Sequence, residues 1–212
     1  MSIHKSLVCV LSLHRRFLAY TMINRRKYRI MDRRVTMTEE EYEQAASFWT
    51  RKDEKETKLN RDALYDWIDA FLSSHKVLAL AAASADFIRC TPLEYSWHDG
   101  AFWIFTEGGL KFKALKANKR VAAAVFERNT SFGGLQSAQI EGQAEVIEPF
   151  SETYKQAAAV RKIPLAALKK LEEPMWLLKI TPTVITCLNS DFKKQGYGSR
   201  QIWRAAISGA SE

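Results

Sequence analysis

The chain has three cysteines in 212 residues, Cys9, Cys90 and Cys187, with no CxxC pair and no histidine at ligand spacing. That argues against a disulfide framework and a zinc site, and the chain reads as cytoplasmic. No apolar run approaches the ~20 residues that a bilayer span requires, so no membrane partner is expected. The nine glycines form neither the G-x-G-x-x-G dinucleotide pattern nor a Walker lysine motif, so a phosphate-bearing ligand would need a different architecture. Acidic residues are nearly missing from the first 37 positions. Nine of the 32 Lys and Arg but only one of the 24 Asp and Glu, Asp32, fall there, leaving 23 of each in the rest of the chain. The net charge of +8 therefore belongs to an N-terminal extension, and no nucleic-acid partner is expected of the neutral body.

Residues 1–37 read as that basic extension and residues 38–212 as one domain, a length that buries one good core. The short apolar stretch Leu7 to Leu13 is cut off by His14, Arg15 and Arg16, which does not suit a signal-peptide core. Two readings stay open, a disordered basic arm and sequence upstream of a native start at Met31 or Met37, and the second is the one favoured. An Arg-rich mitochondrial-type presequence is the outside option.

Thr38 with Glu41 forms a capping box, which predicts a helix from Glu39 with Tyr42, Ala45, Ala46 and Trp49 on one stripe. After a charged connector, Arg51 to Lys58, Asn60 caps a second helix whose Leu64, Trp67, Ile68, Phe71 and Leu72 share a core-facing side. From Val77 the period becomes two. Short strands are expected over 77–83, 87–97, 101–106, 121–127, 135–148 and 176–188, with helices over 111–118, 151–160 and 165–171. Asp99-Gly100 is the signal for a two-residue hairpin turn, because both positions need positive φ. Six strands with few long connections predict a mainly β fold, an antiparallel barrel with flanking helices, since closure removes exposed edges.

The chemically informative stretches are Arg89-Cys90-Thr91-Pro92-Leu93-Glu94-Tyr95 and Phe105-Thr106-Glu107-Gly108-Gly109-Leu110-Lys111-Phe112-Lys113. A strand ending in a hydroxyl, a Gly-Gly turn with free N–H groups and a lysine at the start of a helix suit an anion such as phosphate. The same residues also read as an ordinary turn beside a solvated lysine. His75 and His98 are isolated, Cys90 reads as an inert strand thiol, and Trp97, Trp103, Trp176 and Trp203 read mainly as core or interface, with one of them stacked on a bound ring as the lesser alternative.

From about Thr38 onward the sequence resembles the pyridoxamine 5'-phosphate oxidase-like family of FMN-binding split barrels. The carriers are Arg89 to Tyr95, Phe102 to Asn118, and Gly134-Leu135-Gln136 leading into Ile140-Glu141-Gly142-Gln143-Ala144. The resemblance implies a six-stranded antiparallel split barrel and a homodimer with FMN at the subunit interface. It places Arg89, Thr91, Pro92, Leu93 and Glu94 along the flavin, Arg89, Thr106 and Lys111 at its phosphate, and Gln136 or Ser137 near it from a later strand. It also expects a second base after the turn, where this chain has Phe112. The arginine and histidine pair that would read a vitamin B6 substrate is not evident, since Arg200 and Arg204 have no histidine between them. The expectation is an FMN-dependent oxidoreductase acting on an unnamed small molecule, in which the flavin carries the electrons. The rivals are a split barrel holding haem or the deazaflavin F420, and a non-catalytic flavin-binding or dimerisation module.

Overall fold

The computed structural model describes residues 36–127 and 134–206. The basic extension through residue 35, with Cys9, lies outside the described residues. The chain divides into two compact units, residues 1–52 and 53–212.

In the first unit, helix α1 (Glu39–Ala46) starts at the expected capping box. Glu41 N donates to Thr38 Oγ1 at 3.2 Å, and Thr38 N donates to Glu41 Oε2 at 2.7 Å. Ser47 ends the helix by turning its hydroxyl back onto Glu43 O. A second short helix, α2 (Phe48–Asp53), then occupies part of what reads in sequence as a connector. The stripe of Tyr42, Ala45, Ala46 and Trp49 is exposed.

The second unit begins with α3 (Arg61–Ser74), capped by Asn60, whose Oδ1 accepts from Ala63 N at 2.8 Å. Its Leu64, Ile68, Phe71 and Leu72 are buried, as the 3.6-residue spacing requires. The strands follow: β1 (Val77–Ala83), β2 (Ile88–Glu94), β3 (Ser96–His98), β4 (Ala101–Thr106), β5 (Arg120–Phe126), β6 (Ser137–Ile147), β7 (Trp176–Leu188) and β8 (Arg200–Arg204). Helix α4 (Lys111–Ala117) joins β4 to β5, α5 (Glu152–Val160) and α6 (Leu165–Leu168) join β6 to β7, and α7 (Asp191–Lys194) precedes β8.

All pairings are antiparallel, in the order β2-β1-β5-β6-β7-β4-β3, with β8 added beside β7. The sequence reading expects six strands and the sheet has eight. One of the two extra strands arises because the expected run 87–97 bends at Tyr95 and is split into β2 and β3. These segments are the two ends of the sheet, so one bent strand serves both edges and the sheet curls into a barrel. Tyr95 fixes the bend from inside. It is fully buried, its N–H donates to Lys76 O at 2.9 Å, and its hydroxyl donates to Leu72 O at 2.8 Å. The other extra strand is β8, whose polar composition carried no strand signal.

Alternation places Leu78, Leu80, Ala82, Val121, Ala123, Val125, Ala138 and Ile140 inside the barrel, with α3 and α4 packed onto the same core. Ala101 to Ile104 of β4 are all buried. Phe102 and Ile104 face the barrel, while Ala101 and Trp103 face a second core beneath α5 and α6, with Tyr154, Ala157, Leu168 and Leu177. The hairpin turn forms as expected, with φ +52° at Asp99 and +66° at Gly100. Thr183 is the extra residue of a bulge in β7, since Glu141 faces Val184 while Gly142 faces Pro182. The bulge also accommodates Pro182 within the strand. A Cβ on Gly142 would stand 2.7 Å from Thr181 O, so only glycine fits there.

Candidate functional site

Thr106 ends β4, and the chain reverses through Gly108 and Gly109 at φ +117° and +101° before α4 begins at Lys111. This tight reversal returns the lysine over the strand end. Lys111 Nζ donates to Thr106 Oγ1 at 2.8 Å and to Gly108 O. Two of the three ammonium protons are thus held, leaving one for a further acceptor. Lys111 is buried, at 4 % exposure, and among the described residues no carboxylate comes within ion-pair distance of it. Burial without a counter-ion pushes its pKa below the ordinary lysine value.

Thr106 and Lys111 are therefore brought together. The β2 residues form an exposed to half-buried strand beside them: α4 packs against β1 and β2, and Lys113 Nζ lies 5.1 Å over the Phe87 ring. The five candidates on β2 divide between its faces. Arg89, Thr91 and Leu93 stand opposite Ala82, Leu80 and Leu78 and so take the barrel-facing side, with Arg89 exposed at the strand's start. Pro92 and Glu94 take the outer side with Cys90. Glu94 is engaged there by Arg161, whose Nη2 donates to Oε2 at 2.8 Å while Nη1 donates to Tyr95 O at 2.8 Å.

Gln136 and Ser137 lie elsewhere. Ser137 starts β6 opposite Leu188, at one end of β7, whereas Thr106 stands opposite Trp176 at the other end. The intervening strand has a contour of roughly 40 Å at ~3.3 Å per residue, so one copy of the chain does not bring these groups together. Gln136 is half-buried and its Nε2 reaches Asp191 Oδ2 at 3.5 Å.

Two features next to the site are added by the fold. Trp176 is 38 % exposed, stands opposite Thr106 in the ladder, and has its Cδ1 3.9 Å from where a Cβ on Gly108 would lie. Phe112 leans against it with ring centroids 5.8 Å apart. The tail is also explained. Arg200 is ion-paired to the buried Asp53, and Gln201 is bonded to Leu59 N, Thr57 O and Gly198 O, so both residues are occupied in closing the tail onto the start of the unit. A separate open cleft of about 370 Å³ lies at the bulge, lined by Asn118, Arg120, Glu141, Gln143 and Thr183 among others, and contains none of the expected site residues.

No family model and no curated protein matches the chain. Solved structures do. A Clostridium acetobutylicum protein related to general stress protein 26, of the pyridoxinephosphate oxidase family, is 12 % identical over 69 % of this chain and 96 % of its own, with a TM-score of 0.51. Campylobacter jejuni ChuZ is 15 % identical over 73 % of this chain and 67 % of its own, at 0.53. The haem storage protein HutZ of Vibrio cholerae is a looser match, 17 % identical over 59 % of this chain and 91 % of its own, at 0.47. Among the described residues no helix is long and apolar enough to cross a membrane. The chain has the split-barrel fold of the pyridoxine 5'-phosphate oxidase-like proteins.

Proposed function

We propose that this chain is a flavoprotein that binds FMN, with the flavin phosphate at Lys111 and Thr106 and the ring along β2. The observation that carries the reading is Lys111, a buried ammonium with hydroxyl and carbonyl partners but no carboxylate among the described residues. An unneutralised buried cation is costly, and a phosphate supplies the missing charge through short charge-assisted bonds. Arg89 is exposed at the start of β2, the strand against which α4 packs, and is the second cation of the proposal.

The homodimer belongs to the same proposal. The outer faces of β1 and β5 present Ala79, Ala81, Ala83, Ala122 and Ala124, a flat small-residue surface flanked by exposed Ile88, Val77 and Phe126. A second copy on this face would cover the outer side of β2 and bring the partner's chain toward the flavin ring. When bound, the flavin supplies the redox chemistry as an acceptor and donor of hydride. The protein's part is to fix the phosphate, orient the ring against β2 and keep water from it. The activity proposed is oxidoreduction of a small molecule in the cytoplasm, with the electron donor and acceptor set by groups outside the phosphate site.

The test is the absorbance spectrum of the full chain purified without added cofactor, followed by the mass of what heat releases. Two flavin bands with release of FMN, or of a larger flavin that contains it, support the proposal. A Soret band, or a deazaflavin spectrum, would replace flavin by haem or F420 in the same barrel. Bound flavin that no nicotinamide donor reduces would make the chain a carrier and not an enzyme.

A further inference from the structure

We propose that the phosphate site continues onto an aromatic shelf, Trp176 buttressed by Phe112, which stacks the adenine of a dinucleotide, so that FAD is held more tightly than FMN. The inference rests on the reading of Lys111 as a flavin-phosphate site and names the larger ligand that this site is built to hold.

The geometry begins with strand pairing. Residues directly opposite in an antiparallel ladder project to the same face, with Cβ atoms ~4.5–5.5 Å apart. Trp176 and Thr106 are such a pair, so the indole rises on the side where Thr106 Oγ1 holds Lys111 Nζ at 2.8 Å. Gly108, whose carbonyl also binds that ammonium, neighbours the indole, and a Cβ there would lie 3.9 Å from Trp176 Cδ1. Phe112, one residue beyond Lys111, supports the indole at 5.8 Å and 52°. The indole is buttressed by Phe112 yet 38 % exposed.

A partly exposed tryptophan one residue's width from a buried lysine without a counter-ion is the pairing a nucleotide uses, with phosphate on the cation and base on the ring. Topology decides which base. In the sheet order β7-β4-β3, and with β3 running on from β2, the end of β4 lies between Trp176 on β7 and the β2 strand proposed for the flavin ring. β2 and β4 are also in direct contact. A ligand whose phosphates sit at Thr106 and Lys111 therefore has one ring system available on each side, isoalloxazine toward β2 and adenine toward Trp176. FMN would leave the shelf bare.

The experiment uses the full-length chain stripped of cofactor and titrated separately with riboflavin, FMN and FAD, following flavin fluorescence. The expected result is FAD binding about tenfold more tightly than FMN, the order of a single base–aromatic stack, with riboflavin weaker than both. Trp176→Ala should abolish the FAD advantage while leaving the FMN Kd within about twofold, and Trp176→Phe should keep most of it. Equal affinities for FMN and FAD in the unmodified chain would overturn the shelf while leaving the flavin site intact, and this comparison holds even where the alanine variant does not fold. Equal weakening of both ligands by Trp176→Ala would also overturn it. So would dissociation of a dimer by that variant, since Trp176 would then be covered by a second copy. Failure of the unmodified chain to bind any of the three would remove the flavin reading itself.

Discussion

Lys111→Met separates a binding lysine from a structural one. Methionine matches the length of the aliphatic stem and removes the charge. In the ligand-free protein this relieves a cation whose burial lowers its pKa and whose two partners are neutral, Thr106 Oγ1 and Gly108 O. Against that relief, several kcal/mol for a buried ion, stands the loss of those two bonds from a charged donor, each worth ~1.5–3 kcal/mol. The two effects oppose, so the ligand-free stability should stay within about 1 kcal/mol of the parent or rise. Flavin binding should behave differently, because the phosphate loses a charge-assisted bond of ~1.5–3 kcal/mol, a weakening of roughly 10- to 150-fold in Kd. Urea unfolding with and without FMN reads both quantities in one assay. The parent should gain stability on adding FMN and the variant should gain much less. A variant destabilised by more than about 2 kcal/mol without flavin, yet binding FMN as the parent does, would refute the reasoning and make Lys111 a packing residue. The pH dependence has a definite sign. A lowered folded pKa means the unfolded chain holds the proton longer, so this group makes the ligand-free fold more stable as pH rises through the window below 10.5, while phosphate affinity falls over the same window.

Ala81→Arg puts a long cation in the middle of the alanine face of β1. Light scattering should show a monomer with poor flavin retention, and an unchanged dimer would place the interface elsewhere. Arg200→Ala removes the guanidinium from the buried Asp53, which keeps Lys58 Nζ at 4.0 Å. It should cost ~3 kcal/mol or more of stability, partly recovered by adding Asp53→Asn, with the flavin spectrum of the folded fraction unaltered. A lowered flavin affinity without loss of stability would instead place Arg200 in the ligand site. In alkali, Cys187 and Tyr95 act together, because burial raises the tyrosine pKa and moves the thiol from near 9.0 up to about 12. Both folded values lie above the unfolded ones, so their contribution is fully present below pH ~9 and is lost as pH rises toward 12, by up to ~1.4 kcal/mol per pH unit for each proton. Cys187→Ala should flatten that slope in urea titrations between pH 9 and 11, and an unaltered slope would exclude the thiol as a source.

Features that a few neighbouring residues decide could be read before the fold was known. The capping box at Thr38, the cap at Asn60, the Asp99-Gly100 turn, and the alternation of β1, β5 and β6 were all legible because each needs only local spacing. The approach of Lys111 to Thr106 was legible for the same reason, since only a two-glycine turn and a few residues separate them. The barrel's closure was only half legible: strand number and alternation pointed to it, but the bend at Tyr95 that lets one strand serve both edges depends on Leu72 O and Lys76 O. Trp176 beside Thr106, Arg200 beside Asp53 and the pairing of β8 could not be read at all. Each joins residues far apart in the chain, and each depends on the register in which β7 pairs with β4, β6 and β8. That register is set by the burial of the whole barrel and by the bulge at Thr183, and no local spacing encodes it. Local chemistry paired Lys111 with Thr106, and only the assembled sheet decided what stands next to them.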